Sequence, residues 1–197
     1  MESKTLKVLF VGNSYTYFNQ MPEELFARLA EGYGYQVSVS SVTHGGYRLS
    51  QFADPANENG KRLREIAEGV RYDYAVLQEQ SVNPIKNEAE FLEGARGVMN
   101  LICADVFILY ATWGRNDGSA VLEELSLSRE EMTLKLSDRY NAAADALGAR
   151  VAEVGKAFLE YAKDHDKDAL YCADHSHPSA LGSEIAARVI FEKMIEK

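Results

Sequence analysis

The chain has 197 residues, 46% of them hydrophobic and 26% charged, and a formal net charge of −9. Those totals suit one folded domain with a core of its own, expected to span residues 1–197. With no basic cluster, the sequence argues against nucleic acid or an anionic membrane surface as a partner, and the acidity reads as solubility.

Cys103 and Cys172 are far apart, with no CxxC spacing and no small-scaffold pattern, so a structural disulfide is not implied. The opening "MESKTLKVLF" has one short apolar run and lacks the long apolar centre of a signal peptide. No run approaches the length of a membrane span. A cytoplasmic location is the expectation.

In chain order, Lys7–Val11 is the first strand candidate and exits into "GNSYTYF". A helical period follows over Pro22–Gly32, then a second strand, Gln36–Val42, that exits into "THGGYRLS". Asn59–Val70 places Leu63, Ile66, Ala67 and Val70 on one stripe of a helix. The third strand, Tyr74–Gln78, exits into "QEQSVNP" and is followed by a helix over Glu88–Ile102. The fourth, Val106–Tyr110, exits into "TWGRNDG" ahead of a helix over Glu130–Leu147. After the fifth, Arg150–Val154, come a short helical stretch, the loop "YCADHSHPSALG" and a last helix over Ser179–Ile195. This alternation predicts an α/β domain: a five-stranded parallel sheet with helices on both faces. Such sheets carry their sites outside the carboxyl ends of the strands.

Several of those exits hold groups suited to chemistry. Asp174 stands three residues before His177, and Pro178 keeps His177 extended before the last helix begins. A carboxylate at that distance can fix the tautomer of an imidazole and leave its other nitrogen free as a base; it also suits a helix cap beside a surface histidine. Ser14 suits a cap equally well. As a nucleophile it would need a base in reach and donors for an oxyanion, and its own N–H and the Gly45–Gly46 pair offer such donors.

"VLFVGNSYT" near the start, Gly-Gly after the second strand and "DHSHPSALGSEIA" near the end resemble the SGNH hydrolases, also called GDSL-like esterases and lipases. The resemblance implies a flavodoxin-like three-layer sandwich and hydrolysis of esters of lipids, sugars or other small acyl groups. It implies Ser14 as nucleophile, His177 as general base, Asp174 as its orienting partner, and the N–H groups of Ser14 and Gly46 as oxyanion donors. A serine mechanism of that kind needs no metal or cofactor.

Two departures mark a divergent subgroup. Asn13 stands where the family usually has aspartate, which removes a charge and keeps a capping side chain. The family's Gly-x-Asn-Asp after the third strand is replaced by "LQEQSVNP", so the third oxyanion donor passes to Gln80, with Gln78 and Asn83 as alternatives. "GRND", Gly114–Asp117, has the family's letters at the fourth exit and reads as coincidence. Beside it, Trp113 and Arg115, with Tyr15, are the candidate substrate contacts: aromatic faces for a sugar and a guanidinium for a carboxylate. Gly118–Arg129 is long enough to form a lid or rim. The expected substrate is a small-molecule or carbohydrate ester, with O-acetyl on a glycan as the family-based guess.

Two other readings compete. Asp174, His175 and His177, joined by His44 or Glu79, would make a zinc hydrolase if the His-x-His segment were extended with both rings to one side. Alternatively, the same cleft binds a small ligand without catalysis.

Overall fold

The computed structural model describes residues 5–196. The chain runs β1 (Thr5–Gly12), α1 (Ser14–Tyr17), a π-helical turn at Met21–Phe26 that continues as α2 (Ala27–Gly32), β2 (Gln36–Thr43), α3 (Leu49–Ala53) and α4 (Glu58–Ala67). It continues with β3 (Arg71–Leu77), α5 (Asn83–Lys86), α6 (Glu88–Met99), β4 (Cys103–Ala111), α7 (Ala120–Leu125) and α8 (Arg129–Leu147). It ends with β5 (Arg150–Glu153), α9 (Val154–Tyr161) and α10 (Ala180–Ile195).

The five strands form one sheet in the order β2-β1-β3-β4-β5, every neighbouring pair parallel. This is the flavodoxin-like order, as expected. Along β1, Val8 and Phe10 enter one core with Val76, Ile108 and Tyr110, and Leu9 and Val11 enter the other with Ala75, Leu77 and Leu109. Being buried on both faces is why "VLFV" shows no alternation of apolar and polar residues. Helices α2, α9 and α10 cover the first face, and α3, α4, α6 and α8 the second.

The order reverses between β1 and β3, so the chain leaves β1 toward one side and β3 toward the other, and a crevice opens at their carboxyl ends. Ser14 lies directly at that point, since Val11 pairs with Leu77 and the N–H of Gln78 bonds to the Val11 carbonyl at 2.9 Å.

The expected elements are present with shifted ends. The helix expected from Pro22 begins as a π-helical turn entered through Asn19 and Gln20, both left-handed at φ 54° and 53°. Asn19 is held there by donating to the Pro178 carbonyl at 3.2 Å and to Ser183 Oγ at 2.8 Å. The segment Gly118–Arg129 contains α7, whose Leu122 packs on Met132 and Leu136 of α8, so it is a folded rim. Helices of four to six residues such as α3, α5 and α7 carry too little periodicity to be read in advance.

Candidate active site

The turn at the end of β1 is built around Gln78. Its Oε1 accepts the Asn13 N–H and the Thr16 hydroxyl, both at 2.9 Å, from a position that is 1% exposed. Gly12 leaves room for this: a Cβ there would lie 2.4 Å from Thr16 Oγ1 and 2.8 Å from Gln78 Oε1. Asn13 then caps α1, its Oδ1 accepting the Tyr15 N–H at 3.2 Å. Ser14, first residue of that helix and half-buried, keeps an N–H with no acceptor inside the helix.

The loop after β2 is tied to this turn at both ends. The His44 N–H donates to the Gly12 carbonyl at 3.1 Å, and Asn13 Nδ2 donates to the Tyr47 carbonyl at 3.0 Å. Between them Gly46 takes φ 74° in a turn closed by the Tyr47 N–H on the His44 carbonyl at 3.2 Å. That conformation favours glycine, and nothing lies within 4 Å of where a Cβ would stand.

The loop before α10 brings the third group. Ser179 caps α10 by accepting the Gly182 N–H at 3.1 Å, and the Cys172 N–H donates to the His177 carbonyl at 2.8 Å. Asp174 Oδ1 accepts the N–H groups of Ser176 and His177, each at 3.0 Å. Its Oδ2 lies 2.5 Å from His177 Nδ1, and His177 Nε2 lies 2.8 Å from Ser14 Oγ. The imidazole is stacked on the Phe18 ring at 4.2 Å, which holds its plane. Burial pushes the Asp174 carboxyl upward, but the His177 hydrogen bond and the two backbone donors together hold it below the usual carboxylate value. An ionised Asp174 therefore faces Nδ1, and Nε2 faces the Ser14 hydroxyl.

Ser14, His177 and Asp174 thus come together from the two ends of the chain, and the loop that carries Gly46 is tied to the Ser14 turn. The third-block candidates separate. Gln78 is spent on the Ser14 turn, with its Nε2 bonded to the Glu79 carbonyl. Asn83 is 1% exposed and accepts from Asn87 at 3.1 Å, so it does not open on the crevice. Gln80 is half-buried; its Oε1 accepts the Val82 N–H at 2.9 Å and the Asn83 N–H at 3.0 Å, which leaves its Nε2 as a donor.

Two expected substrate contacts need correction. Trp113 is 0% exposed, stacked between Tyr15 at 4.6 Å and Phe158 at 4.4 Å, with Nε1 donating to the Ser176 carbonyl at 3.1 Å. Tyr15 is 3% exposed and its hydroxyl lies 2.9 Å from Ser176 Oγ. Neither ring has a free face for a sugar; they support the histidine loop from beneath. Arg115 is half-buried and donates from Nη2 to Ser81 Oγ at 2.7 Å.

"GRND" has a structural use that its letters did not suggest. The Asn116 N–H donates to the His175 carbonyl at 2.9 Å, its Nδ2 donates to Asp168 at 2.8 Å, and Gly114 offers its carbonyl to Tyr171 at 2.9 Å. The fourth exit therefore braces the loop that carries Asp174 and His177. The extended His-x-His segment expected of a zinc site does not form: His175 is left-handed at φ 58°, and both nitrogens of His177 are already engaged. Among the described residues no group of three or more His, Cys, Asp or Glu gathers to hold a metal ion.

Sequence reasoning anticipated the capping side chain of Asn13 but missed its bond to the Tyr47 carbonyl, the supporting roles of Gln78 and Ser176, and the burial of Glu79. One signal was available: polar side chains crowded at the very end of an apolar strand are buried on folding and must find partners. A cleft of about 430 Å³ between α2 and α10, lined by Leu25, Leu29, Leu181 and Ile185, includes none of the residues above. No helix among the described residues is long and apolar enough to cross a membrane.

No protein-family model matches the chain, and no curated protein matches it in sequence. Among solved structures it is similar to a lipase/acylhydrolase from Enterococcus faecalis, with 18% identity, a TM-score of 0.73, and 96% of this chain matched to 95% of that one. It is also similar to an acetyl-xylooligosaccharide esterase from Geobacillus, with 15% identity, a TM-score of 0.71, and 100% of this chain matched to 98% of the other. At those identities the likeness concerns the fold. A protein from Slackia heliotrinireducens assigned as an SGNH hydrolase is 31% identical, with a TM-score of 0.75 over 97% of this chain and 100% of that one. Identity at that level along the length of both chains, on the same parallel sheet, means that this chain belongs to the SGNH hydrolases.

Proposed function

We propose that the protein is a serine hydrolase that cleaves carboxylic esters through an acyl-Ser14 intermediate. The observation that carries this reading is one imidazole hydrogen-bonded at both nitrogens, Nδ1 to Asp174 and Nε2 to Ser14 Oγ. His177 Nε2 takes the Ser14 proton as Oγ attacks the ester carbonyl, and the oxyanion forms against the N–H groups of Ser14 and Gly46 and the amide of Gln80. The protonated His177 passes that proton to the leaving alkoxide. It then takes a proton from water, whose oxygen attacks the acyl carbon, and returns that proton to the departing Ser14 Oγ, so that the acid is released and Ser14 is free again.

Short acyl groups carried by a carbohydrate are the substrate class we favour. The Tyr17 ring, 39% exposed on the helix that Ser14 opens, offers an aromatic face, which suits a sugar better than a long aliphatic chain. In the Geobacillus esterase the same fold serves an acetylated xylo-oligosaccharide.

The test is hydrolysis of p-nitrophenyl acetate and butyrate by the wild type and Ser14→Ala, each with and without EDTA. Turnover that EDTA leaves alone and that falls by about 10⁴ or more in Ser14→Ala supports the serine reading. Equal activity of the two proteins would overturn it.

A further inference from the structure

We propose that Arg115 makes this crevice a receptor for a carboxylate, so that the preferred ester carries an anionic group close to its scissile bond; this rests on the esterase reading above. The Arg115 guanidinium lies over the face of Tyr15, 5.5 Å from the ring centre. The other face of that ring is stacked on Trp113, and its edge meets the His177 imidazole at 5.6 Å. Tyr15 follows Ser14 directly, so the cation stands one side chain away from the Ser14–His177 pair.

Arg115 and Arg129 at the fourth exit are both half-buried without a carboxylate partner among the described residues, and Arg115 is the one seated on the Tyr15 ring. Other cations near the strand exits are neutralised: Arg48 by Glu90 at 3.0 Å, Lys86 by Glu124 at 2.5 Å, and Lys167 by Asp117 at 3.1 Å and Asp168 at 2.6 Å. Arg115 has no carboxylate partner among the described residues. Its Nη2 is satisfied by the neutral Ser81 hydroxyl, and its Nε is buried without a partner. Nη1 makes no hydrogen bond among the described residues and is not among the buried unpaired atoms, so it is the end that reaches solvent.

A half-buried guanidinium without a counter-ion is costly to keep, least so where a ligand supplies the charge. In a chain of net charge −9 it is also an uncompensated local attraction for an anion. The side chain is held from two sides: Ser81 fixes Nη2 and the Tyr15 ring supports the plane. A fixed guanidinium recognises a planar carboxylate better than a lysine on a free stem.

Paired esters that differ only in charge test this. 3-Acetoxybenzoate against 3-acetoxybenzamide places the carboxylate on the alcohol side; p-nitrophenyl hemiglutarate against p-nitrophenyl valerate places it on the acyl side. In the wild type kcat/KM favours the charged member of one pair, and that preference shrinks as salt is added. In Arg115→Gln the charged-to-neutral ratio falls roughly 10- to 100-fold, the size of one lost charged hydrogen bond, and Arg115→Lys recovers part of it.

A purely structural Arg115 would slow both members together and leave the ratio unmoved, which overturns the proposal. So does a wild type indifferent to charge in both pairs, a result that needs no variant to fold. Calorimetric titration of 3-hydroxybenzoate against 3-hydroxybenzamide reads the same contact without catalysis. At least about tenfold tighter binding of the acid by wild type and by Ser14→Ala, lost in Arg115→Gln, supports it even if no ester is turned over. Equal binding of acid and amide, together with a kcat/KM indifferent to charge in the acyl-side pair, overturns it. Persistent activity in Ser14→Ala would sink the serine mechanism alone, since the titration and the charged-to-neutral ratio read Arg115 independently.

Discussion

Asn13 ties the turn that carries Ser14 to the loop that carries Gly46, through a hydrogen bond from its Nδ2 to the Tyr47 carbonyl at 3.0 Å. The same side chain caps α1 through Oδ1, so its two ends hold two of the proposed oxyanion donors in one frame. An aspartate, usual in the family, keeps the cap and loses the donation. Asn13→Asp is therefore expected to lower kcat by about tenfold with little change in thermal stability, the cost of about 1 kcal/mol in one positioning bond. Asn13→Ala loses both ends and is expected to destabilise the fold by about 1–3 kcal/mol in urea titrations. Equal kcat for Asn13→Asp and wild type would show that the Tyr47 bond does not position the loop.

Asp174 and His177 give the second prediction. Asp174→Asn preserves shape but presents an amide to Nδ1, which favours the imidazole tautomer whose Nε2 carries the proton and cannot accept from Ser14. A fall in kcat of about 10³–10⁴, with the fold unchanged by circular dichroism, is expected. A loss smaller than about tenfold would mean that the 2.5 Å contact orients nothing the reaction uses.

The parallel sheet was readable from the sequence because both-face burial wrote long apolar runs into β1, β3 and β4, and the Asp-x-x-His spacing survives any error in strand ends. What sequence could not show was which polar residues at the exits face substrate and which face protein. Trp113 and Tyr15 look like sugar platforms in one dimension and are ring stacks under the histidine loop in three. Gln78 and Gln80, two apart, meet different partners because the chain turns after Gln78 instead of extending. The bracing role of Asn116 depends on a contact with His175 far along the chain, which no local pattern encodes.

Gln80 is the least familiar part of the proposed oxyanion hole, and an isostere isolates it. Gln80→Glu keeps the oxygen that accepts from Val82 and Asn83 and removes only the donor. Loss of one oxyanion donor lowers kcat by about 10²–10³, and a carboxylate facing the developing charge adds to that. The expected result is a fall of about 100-fold or more with the melting temperature nearly unchanged. Undiminished kcat would assign the hole to the two backbone groups alone.

Glu79, between the two glutamines, supplies the last prediction. Its side chain is 0% exposed, with Oε2 accepting the Leu49 N–H at 3.2 Å and Oε1 the Gln80 N–H at 2.6 Å, so it links the start of α3 to the third exit. Burial pushes its carboxyl from an ordinary 4.5 up to about 7, against the pull of those two donors. Between these values the folded protein binds a proton that the unfolded chain has released, so this group's contribution to stability declines as pH rises through that window and levels off above it. The full difference is roughly 3 kcal/mol. Glu79→Gln cannot ionise, so the stability of wild type relative to Glu79→Gln is expected to drop by about that amount between pH 4.5 and pH 8 in paired urea titrations. A difference that stays constant with pH would mean that Glu79 is already ionised at pH 4.5, held by its backbone donors more strongly than burial opposes it.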